Sequence, residues 1–221
     1  MNHEIYLFEK IREMELVDWL WVAGAFVVLI AAIVGAVLLG KRKTDGKAAF
    51  DTHTMILGAM CLSLSFVLSY VKIVQMPMGG SITLASMLPL MWYSNRYGVK
   101  AGLLLGLAYG LLQFIQKPEI YHWAQIIIDY PLAFSMIGLA GCVKNLQLGC
   151  LIGGAGRLAC HVVSGAIFFG SWAPEGMNAW VYSVAYNGAY LGVDTAICIV
   201  LSIPLMFILK KRGIGRTEKA A

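Results

Sequence analysis

The chain has 221 residues, 59% of them hydrophobic and 13% charged, and its mean hydropathy is +0.74. A water-soluble domain of this size needs more charge to cover its surface, so an ordinary soluble fold is excluded and the bilayer is the expected solvent. The formal net charge of +5 does not indicate a nucleic-acid partner, because the basic residues lie between apolar segments, where membrane orientation accounts for them.

Crossing ~30 Å of hydrocarbon takes about 20 apolar residues per helix, and seven apolar segments can be read in chain order. The first, at 17–39, follows an acidic stretch (Glu4, Glu9, Glu13, Glu15, Asp18) and ends at Lys41, Arg42 and Lys43. Those flanks are the reverse of a cleaved signal peptide's, so a retained transmembrane helix is expected. The second spans 55–74. The third, 82–94, is short and contains Pro89, so it is expected to be tilted or irregular under cover of protein neighbours. The fourth, 99–115, carries Gly98, Gly102, Gly106 and Gly110 at every fourth position, a stripe that lets helix backbones approach closely in lipid. The remaining three span 124–143, 146–170 and 179–209. The expected fold class is all-α, a polytopic membrane bundle.

Basic residues then set the orientation. Lys41, Arg42, Lys43 and Lys47 share one connection, Arg96 and Lys100 another, and Lys144 a third; Lys210, Lys211, Arg212, Arg216 and Lys219 form the tail. These connections alternate along the chain and so fall on one side, which the positive-inside rule makes cytoplasmic. The N-terminus is expected outside and the C-terminus inside.

No GxxxxGK[ST] motif occurs, so ATP-driven transport would need a separate motor. The five cysteines sit in apolar stretches without a CxxC pair and read as buried thiols. No nucleophile with a base and an oxyanion site, no metal cluster and no cofactor motif is visible, so no catalytic residue, metal or cofactor is expected.

Ionisable groups at membrane depth cost at least ~2.5–3.5 kcal/mol near the centre on insertion scales and tend to mark sites. Asp129 lies about 8 Å below the outer end of its segment and His161 roughly 13 Å below that of the next. Tyr182 and Asn187 enter the last segment from the same side. Convergence of the four would make a pocket open to the exterior. Each has a structural reading too: Asp129 can pair with a neighbouring helix, His161 can bond a carbonyl, and Tyr182 can belong to an interfacial belt. Tyr182 and Asn187 stand about 140° apart on an ideal helix, so they share a pocket only if it wraps the helix. Asp194 and Arg157 are expected deeper, as a structural pair. A carboxylate with no Lys or Arg nearby favours a cation, and aromatic faces such as Phe168, Phe169, Trp123, Trp172 and Trp180 would add cation–π attraction. The residues alone therefore indicate a flat, cationic, hydrogen-bonding small molecule.

At these positions the sequence resembles the thiamine-specific S components of energy-coupling-factor (ECF) transporters. The resemblance is carried by GGSITLASMLPL (79–90), RYGVKAGLLLGLAYGLLQF (96–114), QIIIDYPLAFSMIGLAG (125–141) and HVVSGAIFFGSWAPEGMNAWVYSVAYNG (161–188). It implies a six-helix core at 51–221 that binds thiamine from outside and works with an ECF coupling membrane subunit and two ATPase subunits. The segment at 1–50 is then an extra transmembrane helix with a basic linker. By resemblance, Asp129 faces the thiamine cation with Tyr130 beside it, His161 and Phe169 enclose the thiazolium ring, and Tyr182 and Asn187 contact polar edges. Ala59 and Ser63 resemble the small-residue face turned to the coupling subunit. Three departures stand out: Asp129 is shorter than the Glu of some relatives, Phe169 replaces a Trp, and Gly80 stands about where some relatives have a ligand-stacking Trp. A thiamine precursor or another vitamin is the alternative ligand. An autonomous secondary transporter is disfavoured, since no inverted repeat is evident.

Overall fold

The computed structural model describes residues 51–77 and 79–211; the apolar segment at 17–39, the boundary placed at residue 50 and the tail from Arg212 onward lie outside the described residues. Six helices carry the described chain: α1 (Thr52–Ser69), α2 (Leu88–Tyr97), α3 (Val99–Gln116), α4 (Trp123–Cys142), α5 (Leu146–Phe168) and α6 (Ala179–Lys211). All but α2 are long and apolar enough to cross a bilayer, so the all-α, multi-pass class read from composition holds.

The third segment departs from its expected form. β1 (Lys72–Gln75) and β2 (Ser81–Thr83) make a small antiparallel hairpin out of residues assigned to the end of one apolar run and the start of the next. Ile73, Val74, Ile82 and Thr83 are β-branched and suit extended backbone, while Gly79 turns at φ +98°, where a side chain would be strained. Hydropathy alone does not separate an apolar strand from the end of an apolar helix. Helix α2 therefore begins only at Leu88, with Pro89 in its first turn, where the missing N–H is no loss. It is about 15 Å long, half the hydrocarbon thickness.

The glycine stripe on α3 packs as its spacing implies. Gly102 lies on the Gly138 backbone, Gly106 on the Phe134 carbonyl and Gly110 on the Tyr130 carbonyl. Three positions a turn apart on α3 thus meet three positions a turn apart on antiparallel α4, and a Cβ at any of them would run into backbone. Helix α4 accommodates this contact by being irregular. It opens into a π-type turn at Ile128–Leu132 around Pro131, because proline cannot donate to the ladder, and it finishes as a 3₁₀ stretch at Met136–Cys142.

Helices α5 and α6 are tied together at the end nearer their connecting loop. Ser183 Oγ donates to the Val162 carbonyl at 2.8 Å, and Gly165 leaves room for Ser183 and Asn187 beside it. At the opposite end, Asn95 Nδ2 donates to the Val143 carbonyl at 2.7 Å and joins α2 to the end of α4. The hairpin, the α3–α4 loop and the α5–α6 loop gather at the other end, around the hollows described next.

Candidate ligand-binding site

The π-type turn sets Asp129. A single widened turn shifts the register of the side chains that follow, and such turns recur at functional sites. Asp129 Oδ2 accepts from Gln125 Nε2 at 2.8 Å, one turn earlier on α4. Its Oδ1 lies 3.0 Å from His161 Nδ1 on α5. With the Nδ1 proton donated to the carboxylate, Nε2 of a neutral imidazole is the acceptor, and Nε2 is buried with no protein partner.

Helix α6 supplies the facing wall through Tyr182, Ser183, Tyr186, Asn187 and Tyr190. At ~100° per residue these fall within an arc of about 140°, so Tyr182 and Asn187 are the two edges of one broad face, with Tyr186 and Tyr190 between them. The tyrosines form a ladder: Tyr182 stacks on Tyr186 at 6.1 Å, and Tyr186 meets Tyr190 edge-on at 6.0 Å. Asn187 Nδ2 donates to the His161 carbonyl at 3.2 Å and to Ser183, while its Oδ1 accepts from the Tyr190 hydroxyl at 3.1 Å. The amide thereby fixes the backbone that carries His161.

These side chains line two adjoining hollows that share Asp129, His161, Phe169 and Tyr190. Their empty volumes, with the open mouths included, are ≈ 440 Å³ and ≈ 740 Å³. The smaller is walled by the α6 face; the larger reaches under the hairpin to Gln113, Gln116, Lys117 and Glu119. Asp129, His161, Phe169, Tyr182 and Asn187 all line the smaller hollow.

Tyr130 lines only the larger one, and its hydroxyl is committed: it donates to the Lys117 carbonyl at 2.9 Å and accepts from the Glu119 N–H at 2.8 Å. It pins the α3–α4 loop above the hollow. Of the phenylalanines and tryptophans expected to face a ligand, Phe169 alone lines the hollows; Tyr121 packs edge-on to Phe169 at 4.7 Å and reaches Trp172 at 6.3 Å. Phe168 instead stacks on His122 at 5.1 Å, because consecutive helix positions point about 100° apart, and Trp123 is largely exposed.

The expectation of no Lys or Arg near Asp129 is corrected. Arg157, one turn before His161 on α5, reaches the larger hollow, as do Lys72 and Lys117. Two of these charges are already matched. Lys117 Nζ lies 2.7 Å from Glu119, and Arg157 lies 3.7 Å from Asp194 and 4.2 Å above the Phe134 ring. The Arg157–Asp194 pair forms as expected, with Arg157 also lining the larger hollow. Thr83, at the hairpin's inner end, donates to Asp194 from its backbone N–H at 2.9 Å and its hydroxyl at 3.0 Å. Gly80 rests against the ring of Tyr190, where a Cβ would come within 2.7 Å. Tyr190 thus fills the space that a side chain at Gly80 would claim.

Sequence reasoning missed Gln125, Ser183, Tyr186 and Tyr190. Their signal was spacing: Gln125 is one turn from Asp129, and Tyr182, Tyr186 and Tyr190 recur every fourth residue. Ala59 and Ser63 lie a turn apart on the exposed side of α1, remote from the hollows.

Comparison with known proteins agrees with the helical fold. The family described as thiamine transporter protein matches residues 55–213. The thiamine transporter ThiT of Bacillus subtilis is 37% identical over 163 residues, covering 66% of this chain and 83% of the relative. ThiT of Lacticaseibacillus paracasei is 25% identical over 197 residues, covering 76% and 94%. A solved structure of ThiT from Listeria monocytogenes superposes with a TM-score of 0.59 at 27% identity, over 72% of this chain and 93% of that one. With the site on the scaffold that these relatives share, the chain belongs to the thiamine transporter protein family.

Proposed function

We propose that this chain captures thiamine in the hollow around Asp129 and acts as the substrate-binding subunit of an ATP-driven uptake system. The observation that carries the reading is a partly buried carboxylate whose polar neighbours, Gln125 and His161, are both uncharged when His161 is neutral. A carboxylate inside an aromatic enclosure favours a cation, and desolvation raises cation–π attraction to about 2 kcal/mol or more. Phe169, Tyr182, Tyr186 and Tyr190 offer ring faces for the thiazolium, while His161 Nε2 and the second lone pair of Asn187 Oδ1 offer acceptors to a polar ring. In this reading Tyr130 holds the loop over the ligand through its two backbone bonds.

The test is a titration of the detergent-purified chain alone. Thiamine is expected to quench tryptophan fluorescence at nanomolar to low micromolar concentration, with Trp172 reporting through Tyr121 and Phe169. No response to thiamine, with a response to a precursor or another vitamin, would transfer the same site to that ligand.

The motor is external. An ECF coupling membrane subunit and two ATPase subunits would complete the transporter, and Ala59 and Ser63 on the exposed side of α1 suit close helix contact with such a subunit. The positive-inside rule supports a reading in which the hollows face outside and the C-terminus lies in the cytoplasm. Accumulation of labelled thiamine in cells lacking other uptake is expected only when the ATPase module is co-expressed; accumulation without it would identify an autonomous carrier.

A further inference from the structure

Asp194 is 1% exposed and lines neither of the hollows around Asp129. Binding at Asp129 gives it no direct part, yet a carboxylate buried so deeply is costly unless a cation faces it. That cation is Arg157, whose Nη1 lies 3.7 Å from Asp194 Oδ2. The separation is too long for a good hydrogen bond, so the two groups balance charge rather than bond closely. The other contacts of the guanidinium are uncharged: Nη1 lies 3.0 Å from Met87 Sδ, and the group sits 4.2 Å above the Phe134 ring. Thr83 fixes the carboxylate from the other side, donating to Oδ1 from its N–H at 2.9 Å and its hydroxyl at 3.0 Å. Oδ2 is left for Arg157.

Arg157 and Asp129 line the same hollow, so the charge on one is felt by whatever the other binds. The remaining charges there are accounted for. Lys117 is paired with Glu119, and Lys72 stands on the exposed strand β1, where water screens it. Arg157 is the exception, because its side chain is only 11% exposed and an unbalanced charge there would act at close to full strength.

We propose that Asp194 is a specificity-determining residue: from behind the larger hollow it cancels the charge of Arg157, and so leaves Asp129 to select a cation. The inference rests on the reading that Asp129 binds the thiamine cation. It assigns the Arg157–Asp194 pair a role beyond holding α5, α6 and the hairpin together. Thr83 needs only an acceptor, which a neutral amide would supply equally well; Arg157 needs a charge.

Calorimetry on the full-length protein tests this, with thiamine and with an isostere whose ring nitrogen is replaced by carbon. Asp194→Asn keeps an oxygen for Thr83 and removes the charge. Its preference for thiamine over the neutral isostere is expected to fall at least about tenfold below the native value, the effect of a unit charge roughly 10 Å from the ligand at an effective dielectric of about 20. A purely structural role would weaken both ligands alike, and an unchanged ratio overturns the proposal. Arg157→Gln is the converse variant, since it bares the charge of Asp194. It is expected to raise the ratio at least about threefold; an unchanged or lower ratio overturns the proposal, and this variant decides the matter if Asp194→Asn does not fold. Asp194→Asn combined with Arg157→Gln removes both charges and should return the ratio to within about threefold of the native value. A ratio as low as that of Asp194→Asn alone would show that the charge of Arg157 is not the cause. Native protein without any preference for thiamine would refute cation binding at Asp129 itself, and this proposal with it.

Discussion

Asp129→Asn is expected to weaken thiamine binding by about 2–5 kcal/mol, by analogy with removing one member of a buried charge pair, or roughly 30-fold to several-thousand-fold in Kd. The substitution keeps the size of the side chain and its place in the π-type turn. It removes the carboxylate charge shared by the two hollows and leaves the aromatic walls untouched. Two features make the effect large. The carboxylate is only 14% exposed, so water screens it little. Its polar neighbours also leave the charge uncompensated as long as His161 is neutral. Fluorescence titration of both proteins at neutral pH gives the ratio directly. An unchanged Kd would remove Asp129 from the site.

Gly110→Leu is the second large effect. A Cβ at Gly110 already collides with the Tyr130 carbonyl and crowds Pro131, and both belong to the turn that carries Asp129. Overpacking of a closed interface costs about 1–3 kcal/mol or more, and here the strain falls on the binding site as well as on the fold. A lower unfolding temperature in detergent and loss of thiamine binding are expected together. Alkylation of the fully buried Cys150, Cys160 and Cys198 on heating reports the first. Gly188→Leu is the control, because nothing lies within 4 Å of its Cβ position; it should change neither quantity. Equal effects of the two substitutions would mean that the stripe does not set the site.

Membrane residence, the positions of four long helices and the glycine stripe were legible because lipid imposes simple rules: apolar length for a crossing, small residues for close packing. Asp129 and His161 of the small hollow were legible for a related reason, since an ionisable group stands out against an apolar background. The hairpin was not, because Ile73, Val74 and Ile82 read as equally good helix or strand when only hydropathy is scored. Nor was the position of Arg157. Its long side chain reaches from α5 to the larger hollow, and only tertiary packing against Met87, Phe134 and Asp194 decides where the guanidinium goes. Tyr186 and Tyr190 escape notice when Tyr182 and Asn187 are taken as isolated positions. Taken together, the five α6 residues make one continuous face.

The charge of Asp129 should matter because the ligand is a cation, and one cycle isolates that cause. Calorimetry with thiamine and with an isostere whose ring nitrogen is replaced by carbon, on native and Asp129→Asn protein, gives four affinities. The native protein should prefer thiamine by at least about 30-fold, roughly 2 kcal/mol, and the Asn variant should keep only the smaller preference that the aromatic faces supply. Equal affinity of the native protein for the charged and uncharged rings would contradict the account.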